Sequence, residues 1–300
     1  MSAMSGATVT PPAVDFGVLH WAAAGALFEL RSPDPAVLDR ARVVFGPWLN
    51  GASTLHPPKA RFFVEAVRRE GRGRWRVVRD GSETRVMESL DLALTAVEYG
   101  SIVELLKPES GVVAIHAALL SMGGRGALLV GPKEAGKSTL ACALWRAGWA
   151  LHSDDSAILE DGHRARGVPR RISLRSSSRT LLGPELWERI ASLPATTRNG
   201  TSGLRFHPSE AFPGQAPVSV DVAAAIFLGR GGFTAEPGKL ERLDAGRALL
   251  ALAPYCHRRE PGIGGAIQVL QPLADRVPMF DLGRGDLATM CERVEEAIAT

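Results

Sequence analysis

The sequence predicts an α/β protein: a P-loop unit built on a parallel sheet, preceded by a smaller α+β unit. Three observations predict it. The run Gly131, Pro132, Lys133, Glu134, Ala135, Gly136, Lys137, Ser138 and Thr139 contains the spacing G-x-x-x-x-G-K-[ST]. An apolar stretch at 127–130 leads into it and a helical stretch at 140–147 leads out, closed by Gly148. Residues 15–105 carry a strand, helix and hairpin pattern of their own, with no cluster of chemically active side chains.

Taken in order, residues 1–14 are small, polar and proline-containing, and are expected to form a disordered tail. Residues 25–32 read as a strand. Residues 34–45 read as a helix, with Ser32 or Asp34 as its cap and Pro35 in its first turn. Residues 75–79 and 84–87 read as a hairpin across Asp80-Gly81-Ser82. Residues 89–106 are helical in pattern and link two units, expected at 15–108 and 109–300. In the second unit, 112–120 and 127–130 are strands joined by a glycine turn at 122–126. A short strand at 149–152 ends in Ser153-Asp154-Asp155. Residues 157–159, 171–175 and 222–228 read as further strands, 196–203 as a mobile loop, and 245–252 and 287–299 as helices.

Bulk properties narrow the class. A 300-residue chain that is 45% hydrophobic can bury a substantial core, which excludes a disordered chain. A net charge of +3 is too small to call for a nucleic-acid partner. No apolar run approaches the roughly 20 residues that span a bilayer, so no membrane partner is expected. Residues 1–15 lack the basic and apolar regions of a secretory signal. Cys142, Cys256 and Cys291 are odd in number and far apart, with neither metal-ligand nor disulfide spacing. A reduced, cytoplasmic compartment is the expectation.

The phosphate loop carries the chemistry. Backbone N–H groups of residues 132–138 can wrap a polyphosphate, and the helix N-terminus adds partial positive charge. Lys137 would reach the β- and γ-phosphates, and the Ser138 hydroxyl would bind Mg²⁺. Glu134 stands where many such loops carry glycine, and an acid beside a polyphosphate is unfavourable unless it turns outward or Lys133 offsets it. Asp154 and Asp155 follow the next strand, so in a parallel sheet they face the same ligand. One could hold the metal and the other take a proton from an attacking hydroxyl. His116 reads either as a core histidine or as a site residue. The basic run at 164–179 reads either as a phosphate or acceptor clamp or as a solvated surface; Arg170 and Arg171 flank opposite faces of an expected strand, so at most one of them points into the site, and Arg171 is the preferred one. No GTPase base-reading motif, no ABC-type signature and no further strand ending in an acid is present, which disfavours a motor or a switch GTPase and leaves a compact phosphotransferase.

Together these residues resemble the HPr kinase/phosphorylase family, in its divergent HPr-kinase-related branch. The resemblance spans roughly residues 111–300. It is carried by Ile115-His116-Ala117-Ala118, the glycines at 123–126, the run 128–139 and the run 148–155, and more weakly by 167–174, 225–228 and 277–282. It implies a P-loop kinase domain of the HPr kinase/phosphoenolpyruvate carboxykinase-like type that uses ATP and Mg²⁺ to phosphorylate a serine hydroxyl. It implies catalytic roles for Lys137, His116 and the acidic pair, with Asp154 as base and Asp155 and Ser138 at the metal. It also implies a chain able to assemble as a homo-oligomer. The glycine- and acid-rich motif tied to phosphorylase activity is absent, and 167–175 is basic instead, so neither the reverse reaction nor HPr as acceptor is implied. Related kinases accompany modified peptides, lasso peptides among them, which implies a peptide or small-protein acceptor. A small-molecule hydroxyl acceptor, or a non-catalytic ATP-binding regulator suggested by Glu134, are the alternatives.

Overall fold

Local sequence chemistry explains the first sheet and its helices. A computed structural model describes residues 16–23, 25–49, 57–69, 71–107, 113–160, 162–168, 170–194, 196–199, 203–207, 219–229, 236–257 and 263–300. The expected N-terminal tail lies outside them. Strands β1 (Gly17–Ala23), β2 (Ala26–Ser32), β3 (Ala60–Arg69), β4 (Arg72–Arg79) and β5 (Ser82–Met87) form one sheet in that order. The β2–β3 pair is parallel and helix α1 (Pro35–Leu49) makes the crossover between them. Asp34 caps α1 by accepting from the Ala36 N–H at 2.9 Å, and Pro35 opens the helix. Helix α2 (Leu90–Leu105) starts at Ser89, whose hydroxyl accepts from the Leu92 N–H at 3.2 Å. The core under this sheet is aromatic. Trp21 stacks on Phe45 at 4.7 Å, with Phe28 and Phe62 against it. Ala114, Ile158 and Val168, from beyond residue 108, pack into that same core.

The second sheet is mixed rather than parallel. Its main path is β6 (Val113–Ile115), β10 (Ala157–Leu159), β11 (Arg164–Gly167), β15 (Ser219–Leu228), β8 (Arg125–Val130), β7 (Ala117–Met122) and β9 (Ala150–Ser153). Strand β17 (Met279–Leu282) also pairs with β15, and β16 (Leu240–Arg242) with β17. Only β15 with β8 and β15 with β17 are parallel. The Gly123-Gly124 turn, both residues at positive φ, folds β7 back on β8. That hairpin occupies the β8 edge, so β9 pairs with β7 and stands one strand away from the phosphate loop. Two antiparallel steps leave β9 running in the same direction as β8, and their C-terminal ends share an edge.

The expected continuous strand at 112–120 is broken at His116. Its N–H bonds to Tyr255 O at 2.7 Å, outside the main ladder. The expected loop at 196–203 contains β13 (Thr197–Asn199), which pairs with β14 (Gly203–Phe206); β14 pairs in turn with β12 (Ile172–Leu174) in a third small sheet. Helices α3 (Lys137–Arg146), α4 (Ser178–Leu182), α5 (Pro184–Ala191), α6 (Ala245–Leu252), α7 (Ile263–Arg276) and α8 (Leu287–Ala299) complete the elements used below. Alternation along β8 sends Ala127 and Leu129 toward Trp145, Trp149 and α8, and Leu128 and Val130 toward α6 and α7. Each such buried Leu contributes about 1.5–3 kcal/mol. The site therefore rests on a sheet fixed from both faces.

Candidate active site

The Gly131–Thr139 loop sits where β8 ends. Gly131 is required there: a Cβ would lie 2.4 Å from Leu228 O on β15. Gly136, at φ 98°, turns the chain into α3 and offers no side-chain cap. The first N–H groups of α3 therefore face outward as anion donors. Lys137 is 7% exposed and its Nζ donates to Gly131 O at 2.6 Å and Pro132 O at 3.1 Å. Burial lowers its pKa, against the attraction of Asp155 and Asp154. Thr139 Oγ1 is 2.9 Å from Ser178 Oγ.

Glu134 turns outward. It adopts φ 74°, a left-handed conformation unusual for a side-chain-bearing residue, and its carboxylate accepts from Arg175 Nη2 at 2.7 Å. That hydrogen bond, then the Arg175 charge, holds the carboxyl below its usual range. The cation that offsets Glu134 is Arg175, not only the adjacent Lys133 considered from sequence.

The two aspartates face different partners. Ser153 Oγ accepts from the Ser156 N–H at 3.1 Å, which sets the turn after β9. Asp154 Oδ2 accepts from Ser138 Oγ at 3.0 Å. Its Oδ1 is buried with no hydrogen-bond donor. Burial pushes the Asp154 carboxyl up to about 6, against the pull of Arg170. Asp155 instead bonds Arg170 Nη1 through Oδ2 and lies 3.3 Å from His116 Nδ1 through Oδ1. His116 stands between Tyr255, stacked at 6.4 Å, and His257, edge-on at 5.9 Å. Burial lowers the His116 pKa, with Asp155 opposing.

A cavity of about 1050 Å³ unites these groups: the loop from Lys133 to Leu140, both aspartates, His116 and Arg170 line it. Its far wall includes Leu282, Arg284, Leu287 and Met290. Arg171 is absent from it. The sequence preference for Arg171 is corrected here: Arg171 is 1% exposed and points away, into a pair with Glu98, while Arg170 enters the cavity. Arg171 is paired with a carboxylate 73 residues away, which no local spacing reveals. Arg205, beside Ser173 across the β12–β14 pair, also lines the cavity. Arg205, Tyr255 and His257 were missed from sequence, because no spacing ties them to the loop.

Among the described residues no group of three or more His, Cys, Asp or Glu side chains could hold a metal by itself. None of the described helices is long and apolar enough to cross a membrane.

No protein-family model matches the chain, and no curated protein matches it. Among solved structures the chain is similar to the Hpr(Ser) kinase/phosphatase from Coxiella burnetii, at 16% identity and a TM-score of 0.36, over 62% of this chain and 88% of that one. A likeness at that level assigns no role to any residue here.

Proposed function

We propose that this chain is an ATP- and Mg²⁺-dependent kinase that transfers the γ-phosphoryl group to a serine hydroxyl of a peptide or small protein. The observation that carries this reading is the convergence on one cavity of the loop, the Ser138–Asp154 contact at 3.0 Å and the Asp155–His116 contact at 3.3 Å. The acceptor class rests on the sequence resemblance and on a cavity wide enough for more than a triphosphate. In this reading the reaction unit is residues 109–300, braced by residues 15–108.

The residues fit Mg²⁺. Asp154 offers a buried oxygen with no donor, and the Ser138 hydroxyl lies against its other oxygen. A hard cation that takes one or two protein oxygens and fills its shell with phosphate and water suits that pair. When bound, it would neutralise charge on the β- and γ-phosphate oxygens. The loop N–H groups and Lys137 would bind the phosphates, Lys137 exchanging its two carbonyl acceptors for phosphate oxygens. Asp155 would accept the hydroxyl proton while the serine oxygen bonds to the γ-phosphorus and the bond to the β-phosphate oxygen breaks, releasing ADP. His116 and Arg170 hold the Asp155 carboxylate for that task. These contacts favour the reverse of the assignment made from sequence: Asp154 on the metal side, Asp155 as base.

Transfer of label from γ-labelled ATP with Mg²⁺, offered small peptides, small proteins and hydroxyl-bearing metabolites, tests the reading, with Asp155→Asn as control. Label on a peptide serine that disappears in the variant supports it; label on a small molecule alone moves the acceptor class. Glu134 at the phosphate cradle favours one second reading, a nucleotide-gated binding protein. Tight ATP binding with no label on any acceptor would replace the kinase with that regulator.

A further inference from the structure

The Arg171 side chain is fully enclosed, with partners on helix α2 and on β13. Its Nε and Nη2 donate to Glu98 Oε2 on α2 at 3.1 and 3.0 Å, and Nη2 also donates to Thr95 Oγ1 at 3.1 Å. Nη1 donates to Thr197 Oγ1 on β13 at 3.3 Å. The second oxygen of Glu98 takes a backbone group: the Arg171 N–H donates to Oε1 at 2.7 Å. One carboxylate thus fixes both the side chain of Arg171 and the peptide joining it to Arg170. Glu98 and Arg171 are 3% and 1% exposed. Burial works against the Glu98 charge, and the Arg171 and Arg170 charges hold it below its usual range.

A buried ion pair is a weak source of stability, because desolvation offsets the attraction. Its better-attested use is to fix one arrangement. Here the arrangement it fixes is the next residue along. Arg170 is 17% exposed at its side chain, lines the cavity and bonds Asp155. A main chain free to rotate at this junction would exchange the two arginines, because they project to opposite sides.

We propose that Glu98 is a positioning residue: by pinning the Arg171 N–H and guanidinium, helix α2 directs Arg170 into the cavity, where it holds the Asp155 carboxylate. The N-terminal unit then completes the site without touching substrate. The kinetic arm of this inference rests on the kinase reading; its structural arm does not.

The test uses the full chain and two variants. Glu98→Asp keeps the charge but withdraws it by one methylene, so it cannot reach both the N–H and the guanidinium. The double variant E98L/R171M replaces the pair by apolar side chains of similar size, which buried pairs commonly tolerate. The Arg170 Nε–H resonance, assigned by its loss in R170K, reports the arginine without any substrate. We expect it to shift or broaden in both variants. With a competent acceptor, kcat should fall by about tenfold to a hundredfold, the range for contacts that orient a site residue, with KM for ATP changed less than about twofold. Adding E98D to R170A should cost nothing more. A purely structural role predicts lower thermal stability with an unmoved Arg170 resonance, and that result overturns the inference. So do losses from E98D and R170A that multiply, or failure of both variants to fold. A shifted resonance in a protein that phosphorylates nothing upholds the positioning role and removes the kinase.

Discussion

The Ser138 hydroxyl donates to Asp154 Oδ2 at 3.0 Å, joining residues 16 apart in the chain and lying on two elements of one sheet edge. The contact ties the helix that follows the phosphate loop to the end of β9. It leaves the other Asp154 oxygen buried and without a hydrogen-bond partner, while the Arg170 charge and the Ser173 N–H pull on the carboxylate against its burial. Asp155, one residue on, faces the opposite way, toward His116 and Arg170. The tight turn set by Ser153 gives two adjacent carboxylates two different sets of partners.

The two aspartates should therefore fail differently. Asp155→Asn is expected to lower kcat by about 10²–10⁴-fold, the worth of a positioned base, while Mg²⁺ and ATP still bind. Asp154→Asn should raise the Mg²⁺ concentration needed for half-maximal transfer. Mg²⁺ titrations of both variants in the label-transfer assay check this; equal Mg²⁺ requirements would sink the division of roles.

Lys137→Ala removes the ammonium that now bonds two loop carbonyls. Transfer should drop by about 10²–10³-fold, as for loss of one strong transition-state donor, with unchanged circular dichroism. Near-normal turnover would remove the loop from the mechanism.

Glu134→Gly should be a gain. Glycine adopts φ 74° without the cost of about 1–2 kcal/mol that a side chain meets there. The Arg175 pair it loses is exposed and contributes little. The urea midpoint should rise, and ATP should bind more tightly once the carboxylate has left the cradle. Calorimetric titration and urea unfolding decide it; weaker ATP binding would mean that Glu134 and Arg175 act on the nucleotide together.

Acid should destabilise the fold through two histidines. Burial pushes His152 and His207 down to about 4, so between pH about 6.5 and 4 the unfolded chain takes up protons that the folded chain does not. Their stabilisation is complete above the unfolded pKa and is lost as pH falls through that window. Asp154, pushed up to about 6 by burial, acts oppositely, but one carboxyl faces two imidazoles. Melting temperature should fall from pH 7 to 4.5, and His152→Gln, which can still pair with Ser121, should flatten the slope. A slope unchanged by that substitution would refute the His152 contribution.

Local chemistry was legible in the sequence. The hairpin at Asp80-Gly81, the Asp34 cap, the Gly123-Gly124 turn and the strand–loop–helix around Lys137 all depend on residues within a few positions of one another, and the structure has each of them. Strands whose pattern is weak were not legible: β1, β3 and β14 become strands because a neighbour pairs with them. The bend at His116 was hidden for the same reason, since the carbonyl that takes its N–H belongs to Tyr255.

The sequence by itself determined that a G-x-x-x-x-G-K-[ST] loop joins a strand to a helix, that an acidic pair follows the next strand, and that short strands surround it. Only the tertiary structure decided that β9 joins the sheet through β7, that Asp154 meets Ser138 while Asp155 meets His116, and that Arg170 rather than Arg171 enters the cavity. The reason is range. Turns, caps and phosphate loops are held by hydrogen bonds between near neighbours. Arg171 instead pairs with a carboxylate 73 residues away, a contact that local spacing does not reveal and that exists only once the chain has folded.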